Sequence, residues 1–139
     1  MARRSFLVAL LGAVVMAAGC GGPMEPQELA RSVQTLESAA SEGALLAHDV
    51  ARNRTKATFV RVHSRDLSET VDHEAEKLSD ATPQEAISGK KTEAVKLAED
   101  ISNALGEVQV SVDNRERATK AAGDLDDLSR RAEELSKSL

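Results

Sequence analysis

The sequence predicts an all-α protein, an up-down helical bundle of about four helices, and three observations carry that prediction. The chain contains no Trp or Tyr, and residues that favour helices dominate it, so its core would consist of aliphatic side chains and alanine. Apolar and small residues recur at spacings of three and four, which is the period of an amphipathic helix. Turn signals interrupt that period near residues 53, 81 and 113.

The first predicted helix begins at Pro26, because proline suits the first helical turn. Its inward positions form a heptad seam of Leu29, Val33, Leu36, Ala40, Gly43, Ala47 and Val50. The seam fails at Arg54, where the polar run 52–55 predicts a turn with Thr55 as the N-cap of the next helix. An alternative keeps the first two segments as one continuous helix, which would give a long helical hairpin or an oligomeric coiled coil.

The second and third predicted helices are separated by a capping signal. The second helix ends near Asp80, and its inward residues are Val60, Leu67, Val71 and Leu78. Residues 82–85 are Thr-Pro-Gln-Glu, which predicts a capping box with Thr82 as the cap. The inward residues of the third helix are Ile87, Ala94, Leu97, Ile101, Leu105 and Val108. Residues 107–112 alternate as a strand would, but no partner strand is evident, so we assign them to the helix.

The last predicted helix follows a turn or cap at Asp113 and Asn114. Its inward residues are Ala118, Ala122, Leu125, Leu128, Ala132, Leu135 and Leu139, with a potential interruption at residues 123–124. Four segments, each some 40 Å long at 1.5 Å per residue, predict helices that run alternately up and down. The turns near residues 53 and 113 would then share one end of the bundle.

The first 20 residues have the pattern of an export signal. Two arginines at 3–4 precede an apolar run over 6–18, which is shorter than the roughly 20 residues of a transmembrane helix. Residues 17–20 are Ala-Ala-Gly-Cys, and they resemble the lipobox of bacterial lipoproteins, in which Leu is more usual at the first of these positions. The resemblance implies cleavage between Gly19 and Cys20, and lipidation of the Cys20 sulfur with fatty acyl chains such as palmitate.

The implied organisation is a signal peptide over 1–19, a short tether over 20–25 and a helical bundle domain over 26–139. Cys20 is the only cysteine, so no disulfide can form within the chain. Two or more acyl chains hold a protein stably on a membrane, so the protein would be anchored there without spanning it. Residues 3–7 also resemble the twin-arginine export motif, although an ordinary basic start is the interpretation that we favour.

Composition and charge exclude several classes of function. Loss of residues 1–19 would remove two arginines and no acid, which lowers the net charge from −5 to about −7 and argues against nucleic acid. The lack of Trp and Tyr argues against sugar platforms and base stacking. No nucleophile elbow or phosphate-binding loop occurs, so we expect neither an enzyme nor a cofactor.

Two sets of residues suggest binding sites. His63, Asp66 and His73 fall on one helical face, and imidazole with carboxylate suits zinc or another divalent metal, although a solvated polar face is the interpretation that we favour. The second set is basic and gathers at the end far from the anchor: Arg52, Arg54, Lys56, Arg115, Arg117 and Lys120. Cations complement the dipole of a helix C-terminus, which explains Arg52 and Arg54 but not Arg115 and Arg117 at a helix start.

The sequence therefore predicts a lipid-anchored protein on the extracytoplasmic side of the cell membrane. We expect a structural or protein-interaction module whose basic end contacts an anionic wall polymer or an acidic envelope protein. The alternatives are a lipoprotein that binds a metal or small ligand, and a sensory or regulatory accessory subunit.

Overall fold

The structure, a computed structural model, describes residues 22–139, and these form a bundle of four α-helices. The helices are α1 (Pro26–Ala51), α2 (Ala57–Asp80), α3 (Ser88–Val110) and α4 (Arg115–Lys137). A single 3₁₀ turn, Glu85–Ile87, precedes α3. The predicted all-α bundle is confirmed. The alternative of one continuous helix over the first two segments is wrong, because the chain turns back between Ala51 and Ala57 and α1 packs against α2.

The α1–α2 turn is closed by backbone hydrogen bonds and a left-handed residue. The Arg54 N–H donates to the Asp49 carbonyl oxygen at 2.8 Å, and Asn53 has a φ of 54°. Asparagine tolerates this conformation better than most residues with a side chain. The predicted N-cap at Thr55 is wrong, because α2 begins one residue later, with Lys56 at the cap position and no side-chain cap hydrogen bond.

The predicted capping box at residues 82–85 is also wrong. Instead of capping a helix, this segment pairs with Met24 in an isolated parallel bridge. The Met24 N–H donates to the Thr82 carbonyl oxygen at 2.7 Å, and the Gln84 N–H donates to the Met24 carbonyl oxygen at 3.3 Å. The bridge holds Gln84 in an extended conformation, so the 3₁₀ turn starts only after it. Met24 is 2% exposed and belongs to the core, so the folded part begins there, inside the segment 20–25 that the sequence assigned to a tether.

The core follows the predicted helical periodicity closely. Every inward residue named from the sequence is buried except Val50 and Leu139, which are partly buried and pack against the core. The period-two segment is helical as far as Val110, and α4 continues without interruption through residues 123–124. The largest fully buried side chains are those of Leu, Ile and Val, followed by the smaller Ser32.

The closest packing joins α1 to α4, and α2 packs mainly against α3. Both helices bury many residues with short or no side chains, which lets backbones approach: Ala39, Ala40, Gly43, Ala44 and Ala47 on α1, and Ala118, Ala121, Ala122 and Ala132 on α4. Between α2 and α3, the Ser102 hydroxyl of α3 donates to the Asp72 carboxylate of α2 at 2.7 Å.

The two ends of the bundle differ in what they carry. One end, which we call the proximal end, contains Gly22, the Met24–Pro83 bridge and the C-terminus. There, Lys90 donates to the Ser138 carbonyl oxygen. The opposite, distal end is formed by residues 50–56 and 111–115, and residues 50–53 and 112–115 line a cleft of about 390 Å³ there. The predicted topology, with both of these turns at one end, is thereby confirmed. Within residues 22–139, no helix has the length and apolar character that crossing a membrane would require.

Candidate functional site

The predicted metal residues lie along the outer side of α2 and do not converge. His63 stacks on Phe59 with ring centroids 5.4 Å apart, and its Nε2 lies 3.6 Å from Glu42 Oε2 of α1. Asp66 and His73 are exposed, and ten residues of helix separate the two histidines by about 15 Å. In the part of the chain that the structure describes, no three His, Cys, Asp or Glu side chains are placed to hold a metal ion.

The distal end brings four helix termini together. α1 and α3 end there, and α2 and α4 begin there. Arg52 follows α1 and Arg115 begins α4, and both line the cleft at this end. The structure therefore unites two parts of the basic set that are more than 60 residues apart in the sequence.

The six basic residues predicted to contact an anion are not equivalent. Arg117 donates to Glu107 Oε2 at 2.7 Å, and Lys120 donates to the Asp124 carboxylate one turn along α4. This hydrogen bond raises the pKa of the Lys120 ammonium group above its usual value. Both charges are thus already matched by acids of the same protein. The other four, Arg52, Arg54, Lys56 and Arg115, form no ion pair with any residue of 22–139.

The helix dipoles account for these unpaired cations only in part. Arg52 and Arg54 follow the C-terminus of α1, where positive charge is favourable, but they also precede the N-terminus of α2, where it is unfavourable. Lys56 occupies the N-cap of α2, and the first turn of α2 contains no acid. Arg115 is the first residue of α4. The distal end therefore holds cations at two helix starts, where folding alone disfavours them.

Sequence reasoning missed a set of exposed apolar residues at the same end. Leu45, Phe59, Val62 and Val110 are 67%, 57%, 54% and 56% exposed, and they are the large hydrophobic residues with high exposure in the described chain. All four lie within about two helical turns of the distal end. The sequence does single out one of them, because Phe59 is the only Phe, Tyr or Trp residue after Phe6.

A second groove on the surface carries acidic side chains that are paired. A groove of about 500 Å³ between α3 and α4 is lined by Asp100, Glu107, Asp124 and Asp127. Each of these carboxylates has a Lys or Arg partner, as with Asp100, which lies 3.3 Å from Lys96 Nζ. Exposed pairs of this kind contribute about 0–1 kcal/mol each. The groove is a solvated ionic surface.

One carboxylate oxygen on α2 is buried. Glu74 Oε2 accepts no hydrogen bond, but it lies 3.5 Å from Lys77 Nζ. Lys77 also donates to the hydroxyl of the buried Ser32 on α1 at 3.1 Å. These residues tie α2 to α1 in the proximal half of the bundle, so their geometry is accounted for by packing.

Comparisons of this chain with protein-family models, with curated proteins and with solved structures found no match.

Proposed function

We propose that this chain is the precursor of a membrane-anchored envelope lipoprotein that acts as a non-enzymatic protein-interaction module. The anchor would be lipid on Cys20, on the extracytoplasmic side of the cell membrane. The support for it is the pattern of residues 1–20, a basic start, an apolar run and Ala-Ala-Gly-Cys, which lies outside the described residues.

The observation that carries the interaction role is the location of the exposed apolar residues. All four lie near the distal end, together with arginines and a lysine that have no acidic partner in residues 22–139. Single exposed apolar residues are ordinary, but a group of them at one end marks a surface that is covered in an assembly. Arginine and aromatic residues are also the types that dominate binding energy at protein interfaces.

The distance between the anchor and the distal end supports the same role. Only three residues separate Cys20 from Met24, and an extended chain spans at most about 3.6 Å per residue, so the proximal end would lie close to the bilayer. The 26 residues of α1 extend about 39 Å from there. The proximal end exposes Glu25, Glu28, Asp80 and Glu85, which an anionic bilayer would repel. An upright domain would present its distal end to proteins of the envelope.

The metal-binding alternative is not proposed, because its three residues do not converge and His63 already faces Glu42. A role as an accessory subunit of a membrane receptor is one case of the interaction module, with the receptor as the partner.

Site-specific crosslinking in living cells tests the proposed role. A photoreactive amino acid replaces Phe59 or Val110 at the distal end, or the exposed Thr92 on the proximal part of α3 as the matched control. We expect crosslinks to an envelope protein from the distal positions and not from position 92, and we expect a Cys20→Ser variant to lose them. Equal crosslinking from all three positions, or none from any, would contradict the proposal.

A further inference from the structure

The cleft at the distal end lies between the turn that joins α1 to α2 and the turn that joins α3 to α4. We call it the distal cleft and define it by its lining, residues 50–53 and 112–115, which enclose about 390 Å³. Arg52 and Arg115, more than 60 residues apart in the sequence, line it together. Both arginines are exposed, so an ion from solution can reach them.

Positive charge is in excess in and around the distal cleft. Residues 50–56 and 111–115 contain four cations, Arg52, Arg54, Lys56 and Arg115, and a single acid, Asp113. None of these five forms an ion pair with another residue of 22–139. Like charges that share a cleft repel each other, so the folded chain alone gains nothing from this arrangement. An anion in the cleft would offset the repulsion.

The helix dipoles at this end offset one another. α1 and α3 end here, which favours cations, whereas α2 and α4 begin here, which favours anions. The side chains therefore decide which ion the cleft attracts. Because its lining holds two arginines and one aspartate, the distal cleft attracts anions.

We propose that the distal cleft binds a phosphate group, with Arg52 and Arg115 as its ligands. Guanidinium groups bind phosphate through paired N–H donors, and a phosphate group has enough acceptor oxygens and charge to accept from two arginines at once. A carboxylate has only two oxygens, and one guanidinium group already engages both. No aromatic residue lines the cleft, so the group is recognised by its charge and oxygens, without stacking on an attached ring.

The phosphate is either a free ion or part of a polymer. In the proposed anchored orientation, the headgroups of the bilayer that holds the lipid are out of reach. The 26 residues of α1 extend about 39 Å from the proximal end. That length is several times the electrostatic screening length of about 8 Å at physiological ionic strength.

The inference goes beyond the proposed interaction role and is separate from it. A protein partner that covers the exposed apolar residues Phe59 and Val110 need not enter the distal cleft, because neither residue belongs to its lining. Crosslinks from positions 59 and 110 and phosphate binding at Arg52 and Arg115 can therefore succeed or fail independently.

Binding of polyphosphate to the full, lipidated chain in zwitterionic nanodiscs tests this inference. The probe is an end-labelled polyphosphate chain, and the matched polymer is end-labelled polyglutamate of equal charge. By fluorescence anisotropy, we expect polyphosphate to bind about tenfold or more tightly than polyglutamate. Competition distinguishes the two sources of phosphate. Inorganic phosphate that displaces the probe as well as unlabelled polyphosphate, compared per phosphate, indicates a free ion, and a stronger effect of polyphosphate indicates a polymer.

Arginine variants of the protein locate the binding. We expect Arg52→Gln with Arg115→Gln to weaken probe binding about tenfold or more. The matched control is Arg61→Gln with Arg65→Gln, which removes the same charge from two exposed arginines of α2 outside the cleft lining. The control should weaken probe binding less than about threefold, because screening reduces the effect of charges that do not touch the ligand.

Asp113 provides a test in the opposite direction. It lines the distal cleft, so Asp113→Asn should strengthen probe binding about two- to fivefold by removing its repulsion of the anion. The control is Glu116→Gln, which removes the same charge from the first turn of α4 outside the lining and should change binding less than about twofold. Misfolding cannot produce a gain in affinity, so this pair decides the matter even if the arginine variants fail to fold by circular dichroism.

Three results would overturn the inference. The first is an equal loss of probe binding in the two arginine pairs, which would indicate a diffuse basic surface. The second is binding of polyglutamate as tight as that of polyphosphate, which would indicate an acidic protein as the ligand. The third is no binding of polyphosphate and no strengthening by Asp113→Asn. None of these results bears on the lipid on Cys20 or on crosslinks from Phe59, so failure of the inference and failure of the proposed function are distinguishable.

Discussion

Gly43 of α1 lies directly against Leu105 of α3. A β-carbon at position 43 would stand 2.5 Å from Leu105 Cδ2 and 3.1 Å from Leu125 Cδ1 of α4. Both leucines are 0% exposed, so both are enclosed by the rest of the protein. Three helices thus meet at one residue that has no side chain, and the closeness of α1 to its neighbours depends on it.

We expect Gly43→Ala to destabilise the bundle by about 1 kcal/mol. Overpacking a close-packed core costs about 1–3 kcal/mol, and this exceeds the gain of up to about 1 kcal/mol from replacing a glycine within a helix by alanine. The measurement is the free energy of unfolding from urea denaturation.

Gly106 and Gly123 are the matched controls for that variant. Both lie inside helices, and a β-carbon at either would meet nothing within 4 Å. Alanine at these positions should stabilise the protein by about 0.5–1 kcal/mol. If Gly43→Ala stabilised the protein to the same degree, the tight contact with Leu105 would be refuted.

The start of α4 offers a test of capping. The Asn114 side-chain oxygen accepts a hydrogen bond from the Arg117 backbone N–H at 3.0 Å. Asn114→Ala should reduce the free energy of unfolding by about 1 kcal/mol, whereas Asn114→Asp should retain most of it because aspartate caps as well as asparagine. Thr82→Ala is the control, since the Thr82 side chain caps no helix, and it should lie within about 0.5 kcal/mol of the wild type. A larger loss at Thr82 than at Asn114 would contradict the structure.

Much of the fold was predictable because apolar residues recur at spacings of three and four along all four helices. A buried face at spacings of three and four fixes both the helix type and its inner side, so positions such as Leu36 and Leu97 followed from the sequence. The capping box at Thr82 failed for a physical reason that local sequence does not contain. Its backbone pairs with Met24, which is nearly 60 residues away in the chain.

The candidate site was predictable only in part. Its basic residues follow from charge and topology, but the pairing of Arg117 with Glu107 joins two helices and needs their register. The exposed residues Leu45 and Val62 are not among the inward positions of their helices, and the spacing of apolar residues does not mark them as a group. Only the antiparallel placement of α1 and α2, seen in the contact between Glu42 and His63, brings them to the same level of the bundle.

A buried leucine and an exposed leucine should respond differently to the same substitution. Leu125 is fully buried, and Leu125→Ala should cost about 2–5 kcal/mol through lost burial and the cavity that it leaves. Leu45 is 67% exposed, and Leu45→Ala should change the free energy of unfolding by less than about 0.5 kcal/mol. Urea denaturation of both variants checks this, and comparable losses at the two positions would mean that Leu45 is packed in the folded chain.

Zinc should leave the thermal stability of the protein unchanged. A ligand that binds the native state raises the unfolding temperature, but His63, Asp66 and His73 are not placed to share one ion. We expect a shift of less than about 1 °C by differential scanning fluorimetry at a large excess of zinc. A rise that disappears in a His63→Ala, His73→Ala variant would instead favour a metal-binding lipoprotein.

The most direct test of the lipoprotein assignment is metabolic labelling of the full chain with a clickable fatty acid, followed by gel analysis of the purified protein. We predict that the wild type incorporates the label and moves with the membrane fraction. We also predict that Cys20→Ser loses both properties while keeping the helical signal of the folded domain. Label that persists in Cys20→Ser, or a wild type that takes up none, would contradict a lipid anchor on Cys20.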